Sequence, residues 1–455
     1  MITLNYKSEY KELLRLAGPI MLSNLGIVIV QFFDNLMVGR LGALPLAGVS
    51  FAGAVFMLAF LLLLGILIGL TPLVGEKYVQ GKHKEIAALF QNSLFIYTIT
   101  GIAASILLFC AIPLLYHLGQ PVEVVDTAIP YYKYLVWSLI PYMMFGAFKQ
   151  FLEGIGNTKV NMIIITVSNI INIFLNWVFI YGNLGFEAMG AAGAGFATLI
   201  SRISMPILAS AYFIYKQQVR QYLKYFKWKL FSIKNITKIF SVGIPISLQM
   251  FVEGLAYSFT GIMMGWIGTV EIAGNQIALT MSSMAFMIVI GISSATTIKI
   301  SHEFGRKNKH GLKRTSTASY HLTILWNLFT ALFFIIFRHE IAKIFSHDAE
   351  VIRVASYLLI FVGISQISDG LQVLTVGILR GIQDVKQIMI IAIISYIFVN
   401  IPVGYIMAFE LGLGAAGLWL GFIFGLSVAA ILLYVRLRKK IFTDRILNTK
   451  KQSKL

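Results

Sequence analysis

The sequence predicts an all-α polytopic membrane protein with twelve transmembrane helices. Of its 455 residues, 58% are hydrophobic and only 12% are charged, whereas soluble domains contain about 25% charged residues. Apolar runs of about 20 residues, long enough to cross a hydrocarbon core of about 30 Å, recur along the whole chain. The remaining polar stretches are too short to form a separate soluble domain.

Hydropathy places twelve spans in order along the chain, separated by short polar stretches. In the first half they are expected near residues 14–38, 45–73, 87–115, 131–148, 160–182 and 191–215. In the second half they are expected near residues 239–264, 272–298, 317–337, 353–379, 388–408 and 415–435. Some of these spans are longer than the bilayer requires, so tilts or kinks are expected. The candidate irregularities are Pro19, Gly26, Pro72, Pro141, Pro206, Pro245 and Pro402.

The two halves of the chain repeat each other. "GPIMLSNL" (18–25) resembles "GIPISLQM" (243–250), and "EGIGNTK" (153–159) resembles "RGIQDVK" (380–386). The offset between matching segments is about 225 residues. Each repeat holds six spans, an even number, so both share one orientation in the membrane. Parallel repeats of this kind suit a transporter that rocks two bundles about a central cavity, although a duplication without rocking would leave the same pattern.

The distribution of Lys and Arg predicts the orientation and explains the net charge of +18. If both termini are cytoplasmic, the cytoplasmic segments hold roughly 31 of the 37 basic residues, in agreement with the positive-inside rule. The charge therefore needs no nucleic-acid partner, and the basic linker is expected to face anionic lipid headgroups. The expected division is an N-terminal bundle (1–215), a basic cytoplasmic linker (216–238), a C-terminal bundle (239–435) and a basic cytoplasmic tail (436–455).

Four ionisable residues fall well inside predicted spans: Asp34, Arg202, Glu253 and Asp369. A charge at the bilayer centre costs roughly 2.5–3.5 kcal/mol on insertion scales, so each of these is a candidate functional residue. Glu253 and Asp369 are predicted at mid-depth in the same bundle. Side by side, they would either share a proton or coordinate Na⁺, and both arrangements make an ion-coupling site. The alternative is two separate acids, each with its own polar partner.

Asp34 is predicted in the outer half of the first span, where a stripe of amides on the fifth span is its expected partner. Asn169, Asn172 and Asn176 are three and four residues apart, which puts them on one helical face. Such a stripe alone is explained by helix–helix contact, worth about 0.6 kcal/mol per hydrogen bond. The added carboxylate favours a functional site. We interpret Arg202 as structural, either pairing with an acid or bridging helices.

The sequence lacks the patterns expected for a disulfide, a transition-metal site, an ATP-binding loop or an intramembrane protease. The single cysteine, Cys110, cannot form a disulfide within the chain. None of the seven His residues lies in an HExxH or CxxC pattern, so the only metal expected is a Na⁺ ion at Glu253 and Asp369. GxxxxGK[ST] is absent, and we expect no cofactor and no removable signal peptide. An intramembrane aspartyl protease also needs two carboxylates, but neither acid lies in a GxGD context.

Six segments of the sequence together resemble the multidrug and toxic compound extrusion (MATE) family, in its NorM-like bacterial branch. They are "FFDNLMVGRLGALPLAGVS", "EGIGNTK", "NIFLNWVFIYG", "MFVEGLAYSFTGIMMGWIG", "AGNQIALTMSSMAFMIVIGISSATTIKISHEFG" and "SDGLQVLTVGILRGIQD". The resemblance implies two six-helix bundles, an N-lobe and a C-lobe, around a V-shaped cavity. It also implies export of cationic or amphipathic drugs in exchange for H⁺ or Na⁺. We expect a monomer in the cell inner membrane.

The resemblance also assigns roles to individual residues. Asp34 falls at the acidic position of the N-lobe, and Asn172 and Asn176 match the amides beside that acid. Glu253 and Asp369 match the C-lobe acids that the family ties to cation coupling.

One position departs from this pattern: Ser365 stands where some NorM-like members have a tyrosine, one turn before the acid of the tenth span. The alternative function is a lipid-linked oligosaccharide flippase of the same superfamily, whose members tend to line the cavity with Arg and Lys. Here the charges within spans are mainly acidic, which argues against a flippase. A major-facilitator carrier would also have twelve spans, but the loop after span 2, GEKYVQGKHKE, lacks its Gly-Asp-Arg signature.

Overall fold

The computed structural model describes residues 6–227 and 231–442, and the regular elements in those ranges are all helices. Twelve of these helices are long and apolar enough to cross a membrane. The predicted fold class and the predicted number of spans are therefore confirmed, and the chain is a multi-pass membrane protein.

We label the twelve spanning helices α1 to α12 in chain order. The first six are α1 (Lys7–Gly39), α2 (Ala43–Tyr78), α3 (His83–Cys110), α4 (Val122–Gly154), α5 (Thr158–Tyr181) and α6 (Ala191–Tyr215). The second six are α7 (Ile233–Ile267), α8 (Thr269–Gly305), α9 (Lys309–Ile336), α10 (Ala349–Gly381), α11 (Val385–Glu410) and α12 (Gly414–Phe442). Short helices at Gln217–Leu223 and Arg338–Phe345 and a 3₁₀ segment at Ile112–His117 lie between them.

Several predicted span ends are wrong by several residues; for example, the fourth span was expected to begin near residue 131, but α4 begins at Val122. The third span was expected to reach residue 115, but α3 ends at Cys110 and a 3₁₀ segment, Ile112–His117, follows. Pro113 lies at the start of that segment. Proline has no backbone N–H to continue the i→i−4 hydrogen bonds of α3, so the apolar run outlasts the helix.

Some of the predicted irregularities coincide with interruptions of the spanning helices, and others do not. Pro19 and Pro245 lie inside continuous helices. In contrast, α2 is interrupted at Gly69, three residues before Pro72, and α4 at Ser138, three residues before Pro141. Each proline lacks the N–H that would bond back across that turn. In α11, two π-helical stretches, Ile393–Asn400 and Ile406–Glu410, replace regular α-helix. Single π turns are frequent at functional sites, so α11 is a helix to inspect for functional residues.

The chain divides into two compact units. The N-terminal unit is Leu22–Ser247, and the C-terminal unit joins Met1–Met21 to Leu248–Leu455. The beginning of α1 therefore belongs with the second half of the chain, not with the bundle expected at 1–215. Of the tail expected at 436–455, residues 443–455 lie outside the described residues.

Charged side chains explain why the beginning of α1 belongs to the C-terminal unit. Glu9 of α1 forms ion pairs with Lys299 of α8 and, at 2.7 Å, with Arg314 of α9. Lys299 Nζ also lies 2.6 Å from a carboxylate oxygen of Glu12. We call these four residues the Glu9 cluster. Glu9 and Lys299 are both buried, and buried charges persist only when they are paired in this way.

The basic linker is held against α3 within the N-terminal unit. The Gln91 amide donates to the backbone oxygen of Lys227 at 3.2 Å and accepts from its N–H at 3.3 Å. The next side chain, Asn92, accepts a hydrogen bond from the backbone N–H of Ser232 at 3.1 Å. Two consecutive amides of α3 thus fix the linker on either side of residues 228–230.

Candidate functional site

In the N-terminal unit, Asp34 of α1 meets the amide stripe of α5. Asn176 donates a hydrogen bond to a carboxylate oxygen of Asp34. The same amide lies 3.2 Å from the side-chain oxygen of Asn172, so the two Asn residues are linked along α5. Asn172 and Asn176 are both buried, and Asp34 is half-buried. The structure therefore brings these three predicted residues into one network.

The network extends from α5 to α6, and this extension was not predicted. The Asn172 amide donates to the hydroxyl of Thr198 at 3.3 Å and reaches that of Ser201 at 3.5 Å. Asn169, the third residue of the stripe, lies elsewhere. Its amide is close to Gly26 of α1, and no hydrogen bond joins it to Asp34 among the described residues.

Arg202 of α6 is surrounded by aromatic rings of the N-terminal unit. Its guanidinium carbon lies 5.2 Å from the ring centre of Tyr142, 5.5 Å from that of Phe56 and 5.7 Å from that of Phe60. Nη1 donates to the hydroxyl of Ser138 at 2.8 Å, at the interruption of α4. Rings on several sides suit a planar cation. Arg202 therefore bridges α2, α4 and α6.

In the C-terminal unit, Glu253 of α7 is held by two donors. The Gln249 amide donates to one carboxylate oxygen at 2.7 Å, and the Tyr396 hydroxyl donates to the other at 3.1 Å. Gln249 in turn accepts a hydrogen bond of 2.7 Å from Arg380 of α10. The π-helical stretch of α11 carries Tyr396. Arg380 is thus linked to Glu253 through the side-chain amide of Gln249, which is polarised by hydrogen bonds to both residues.

Asp369 of α10 is buried, with 4% of its surface exposed. Its Oδ1 atom has no hydrogen-bonding partner among residues 6–227 and 231–442. Asp369 interacts electrostatically with Glu253, and Tyr257 of α7 interacts with both acids. The structure therefore places the two predicted acids of the second half in one neighbourhood, together with Tyr257. Ser365 donates to the backbone oxygen of Val362 on its own helix, at 2.8 Å.

The atoms around these acids suit a small hard cation. Carboxylate and hydroxyl oxygens bind H⁺ or Na⁺, whereas transition metals prefer nitrogen and sulfur ligands. Among the residues that the structure describes, no group of three or more His, Cys, Asp or Glu side chains is arranged to hold a metal. A Na⁺ ion beside these two acids would therefore be held by Glu253, Asp369 and neutral oxygens.

Sequence reasoning missed several residues of the C-terminal site. Arg380 lies one residue beyond the predicted span 353–379, and Gln249 is neutral, so neither stands out as a charge within a span. Nothing in the sequence distinguishes Tyr396 and Tyr257 from the other tyrosines, of which the chain has 20 in all. A usable signal existed for Gln249, because it precedes Glu253 by four residues and so shares its helical face. The distance of Tyr396 from Glu253 along the sequence left no comparable signal.

Comparison with known proteins gives the same family for both halves of the chain. A family profile described as MatE matches residues 19–178 and again residues 245–406. The two matches begin at corresponding positions of the internal repeat. They include Asp34, Glu253 and Asp369.

Named relatives match almost the whole chain. It is 31% identical over 438 residues to the multidrug resistance protein NorM of Photobacterium profundum, covering 95% of this chain and 96% of that protein. It is 33% identical over 441 residues to the probable multidrug resistance protein NorM of Pasteurella multocida, covering 95% of each chain.

Solved structures share the fold. One is described as an outward-facing multidrug resistance MATE family transporter of the MOP superfamily, with a TM-score of 0.87 at 23% identity. The eukaryotic MATE transporter AtDTX14 superposes with a TM-score of 0.86 at 20% identity. Each comparison covers 95% of this chain and 96% of the other. These likenesses agree with the arrangement of twelve helices described above.

Proposed function

The chain belongs to the MatE family, and from this premise we propose that it is a secondary multidrug efflux antiporter. It exports cationic or amphipathic small molecules in exchange for H⁺ or Na⁺. The observation that carries the proposal is the neighbourhood of Glu253 and Asp369, two acids inside one bundle of apolar helices. Relatives named as multidrug resistance proteins support the substrate class.

The two acids of the C-terminal unit are equipped for different tasks. Glu253 accepts hydrogen bonds on both carboxylate oxygens, so its position is fixed. Asp369 keeps one oxygen without a partner among the described residues. An unpaired buried oxygen is costly, and a proton or Na⁺ would satisfy it. We therefore assign ion binding primarily to Asp369, with Glu253 as the fixed neighbouring charge.

The exchange of drug for cation follows from neutralisation of the acidic side chains by the bound cation. In the outward-facing state an incoming cation occupies the acids, which weakens their attraction for a cationic drug and favours its release. In the inward-facing state the cation leaves, and the freed negative charge binds the next drug molecule. Differential affinity in the two states couples the fluxes. A membrane potential of 100 mV adds about 2.3 kcal/mol for each charge that moves inward.

Asp34 is the acid of the N-terminal unit in this scheme. Asn176 donates to it and Asn172 supports Asn176, so its charged form is stabilised by amides rather than by a direct ion pair. We propose that Asp34 binds either the drug cation or the coupling ion. The neighbouring amides accept and donate equally well, which permits both states of the carboxyl.

The remaining features of the proposal follow from the sequence. We place the protein in the cell inner membrane with both termini cytoplasmic, since this puts most Lys and Arg inside. Its partners are small-molecule drugs and the surrounding lipid, and it acts as a monomer. It is a transporter and not an enzyme, it binds no nucleic acid, and it uses no cofactor other than the coupling ion.

Ethidium efflux from a pump-deficient host tests the proposal. We expect Asp34→Asn, Glu253→Gln and Asp369→Asn each to lower efflux strongly, because each removes a charge that the exchange requires. Glu350→Gln is a matched control, since Glu350 is an exposed acid on the same helix as Asp369. Wild-type efflux in all three variants would refute the proposal. Proteoliposomes with an imposed pH or Na⁺ gradient then identify the coupling ion.

A further inference from the structure

Helix α9 carries an unusual number of buried polar side chains for a membrane helix. They are Thr315, Ser316, Ser319, Thr323, Asn327 and Thr330. Spacings of three, four and seven residues put most of them on one face. This face packs within the C-terminal unit, because the residues are almost completely buried there.

Hydroxyl groups on this face fall into two classes. Ser319 and Thr330 donate back to carbonyl oxygens of their own helix, the usual arrangement for hydroxyls in membrane helices. The side-chain hydroxyls of Ser316 and Thr323 make no hydrogen bond with the described parts of the chain, and neither polar side-chain atom of Asn327 does. Three residues on one face of α9 therefore have buried polar side-chain atoms without a hydrogen-bonding partner among the described residues.

Helix α10, which packs against α9, also has buried polar atoms close to Asn327 without hydrogen-bonding partners in the described ranges. Asp369 Oδ1 and Gln372 Oε1 are buried without a partner among the described residues. A Cβ atom on Gly370 would overlap the Asn327 amide, so Asn327 lies directly against α10 beside Asp369. We call Asn327, Asp369 and Gln372, together with Ser316 and Thr323 on the same face of α9, the α9–α10 seam.

The contacts between the two helices continue along their length. The hydroxyls of Tyr320 on α9 and Thr375 on α10 lie 2.5 Å apart, two turns of α9 from Asn327. Ser316 follows one turn further. Its neighbour Thr315 donates to Glu9 of the Glu9 cluster at 3.3 Å. The seam therefore runs from Asp369 to the end of the bundle where α1 begins, a distance of roughly 16 Å along α9.

Six polar atoms of the seam lack a hydrogen-bonding partner within residues 6–227 and 231–442. Each buried polar atom left unpaired costs about 1–3 kcal/mol, so the whole set is tolerable only if another molecule pairs with it. Water is the molecule that commonly does this in protein interiors, making two to four hydrogen bonds to buried polar groups. Amides and hydroxyls can both donate and accept, so they suit a continuous file of water.

We propose that the α9–α10 seam is a water-lined route along which the coupling cation leaves Asp369 for the cytoplasm. The proposal rests on the proposed antiport function. If the cation is a proton, Asp369 passes it to an adjacent water, and it moves from water to water past Thr323 and Ser316. If it is Na⁺, the same oxygens replace its hydration shell. Glu12, whose side chain is 64% exposed, opens the Glu9 cluster to solvent.

Radiolytic hydroxyl-radical footprinting tests the seam without requiring transport. In a Cys110→Ser background, a reporter thiol is introduced by Thr323→Cys, by Ser316→Cys or, as a control, by Thr330→Cys. Radicals form from water at the site itself, so we expect oxidation to be about tenfold faster at positions 323 and 316 than at position 330, which is also buried but is slightly more exposed. Equal rates at all three positions would overturn the proposal.

Transport by isosteric variants tests the role of the route. Thr323→Val combined with Ser316→Ala removes two hydroxyls and leaves the packing almost unchanged. We expect cation-driven ethidium efflux in proteoliposomes to slow by about tenfold, with ethidium affinity unchanged. Thr330→Val should retain the wild-type rate, and Thr323→Ser, which keeps its hydroxyl, should retain it too. Wild-type cation flux in the double variant would refute the route. If the unmodified protein exports no ethidium, the antiport function fails, while footprinting still decides the seam.

Discussion

The Tyr396 hydroxyl lies 3.1 Å from a carboxylate oxygen of Glu253. The two residues are far apart in sequence and meet because Tyr396 lies on the π-helical stretch Ile393–Asn400 of α11. A π turn rotates the following side chains relative to a regular α-helix, which makes such turns useful at functional sites. The ring itself is fully buried. The irregular geometry of α11 therefore places a hydrogen-bond donor on a candidate coupling acid.

Tyr396→Phe is expected to impair transport without unfolding the protein. It removes a hydrogen bond to a charged group, worth about 1.5–3 kcal/mol, and keeps the ring that fills the core. Ethidium efflux should fall by about tenfold, because a loss of about 1.4 kcal/mol corresponds to a tenfold change in rate. Tyr434→Phe is the control, since Tyr434 is a half-exposed ring on α12. Equal efflux in the two variants would show that the Tyr396 hydroxyl does not matter.

Lys299→Met is expected to destabilise the C-terminal unit. It leaves Glu9 buried without one of its partners, and breaking a buried ion pair from one side costs about 3–5 kcal/mol. The apparent melting temperature in detergent should therefore drop by several degrees. Arg353→Met provides the comparison, because Arg353 pairs with Glu350 on the exposed surface, where such pairs contribute at most about 1 kcal/mol. Similar melting temperatures for the two variants would contradict the assigned role of the Glu9 cluster.

The parts of this structure that could be predicted depend on signals within a few residues. Apolar runs locate the twelve spans, because crossing the bilayer requires a fixed length. The spacing of Asn172 and Asn176 indicates a common face, and an amide face needs a polar partner, for which Asp34 was the natural candidate. The structure forms this contact. Glu253 and Asp369 stand out because charges are rare in such helices.

The parts that could not be predicted depend on how one helix is placed against another. The contact of Tyr396 with Glu253 and that of Arg380 with Gln249 require the rotation and depth of α10 and α11. Hydropathy gives neither quantity. Glu9 and Lys299 also form an ion pair although they are far apart in the sequence. No local pattern indicates this contact, so the sequence alone assigned the whole of α1 to the first bundle.

Gly421→Val is expected to separate α11 from α12. A Cβ atom at Gly421 would lie 2.6 Å from Cα of Gly404 and 2.7 Å from the backbone oxygen of Asn400, closer than real Cβ contacts. Overpacking of this kind typically costs about 1–3 kcal/mol. Gly261→Val is the matched control, because a Cβ there meets no heavy atom within 4 Å. We expect a lower melting temperature for Gly421→Val only, and equal losses would exclude close packing as the cause.

Arg202→Lys is expected to lower stability but to preserve transport by each folded molecule. Lysine keeps the positive charge that interacts with Asp34, but it cannot reproduce the planar stacking on three rings. Cation–π contacts contribute about 0.5–2 kcal/mol each, so the melting temperature should fall by several degrees. Arg202→Met removes the charge as well, and its efflux per folded molecule should differ from that of Arg202→Lys. If Arg202→Lys abolishes efflux at an unchanged melting temperature, the guanidinium takes part in transport directly, and the structural interpretation of Arg202 is wrong.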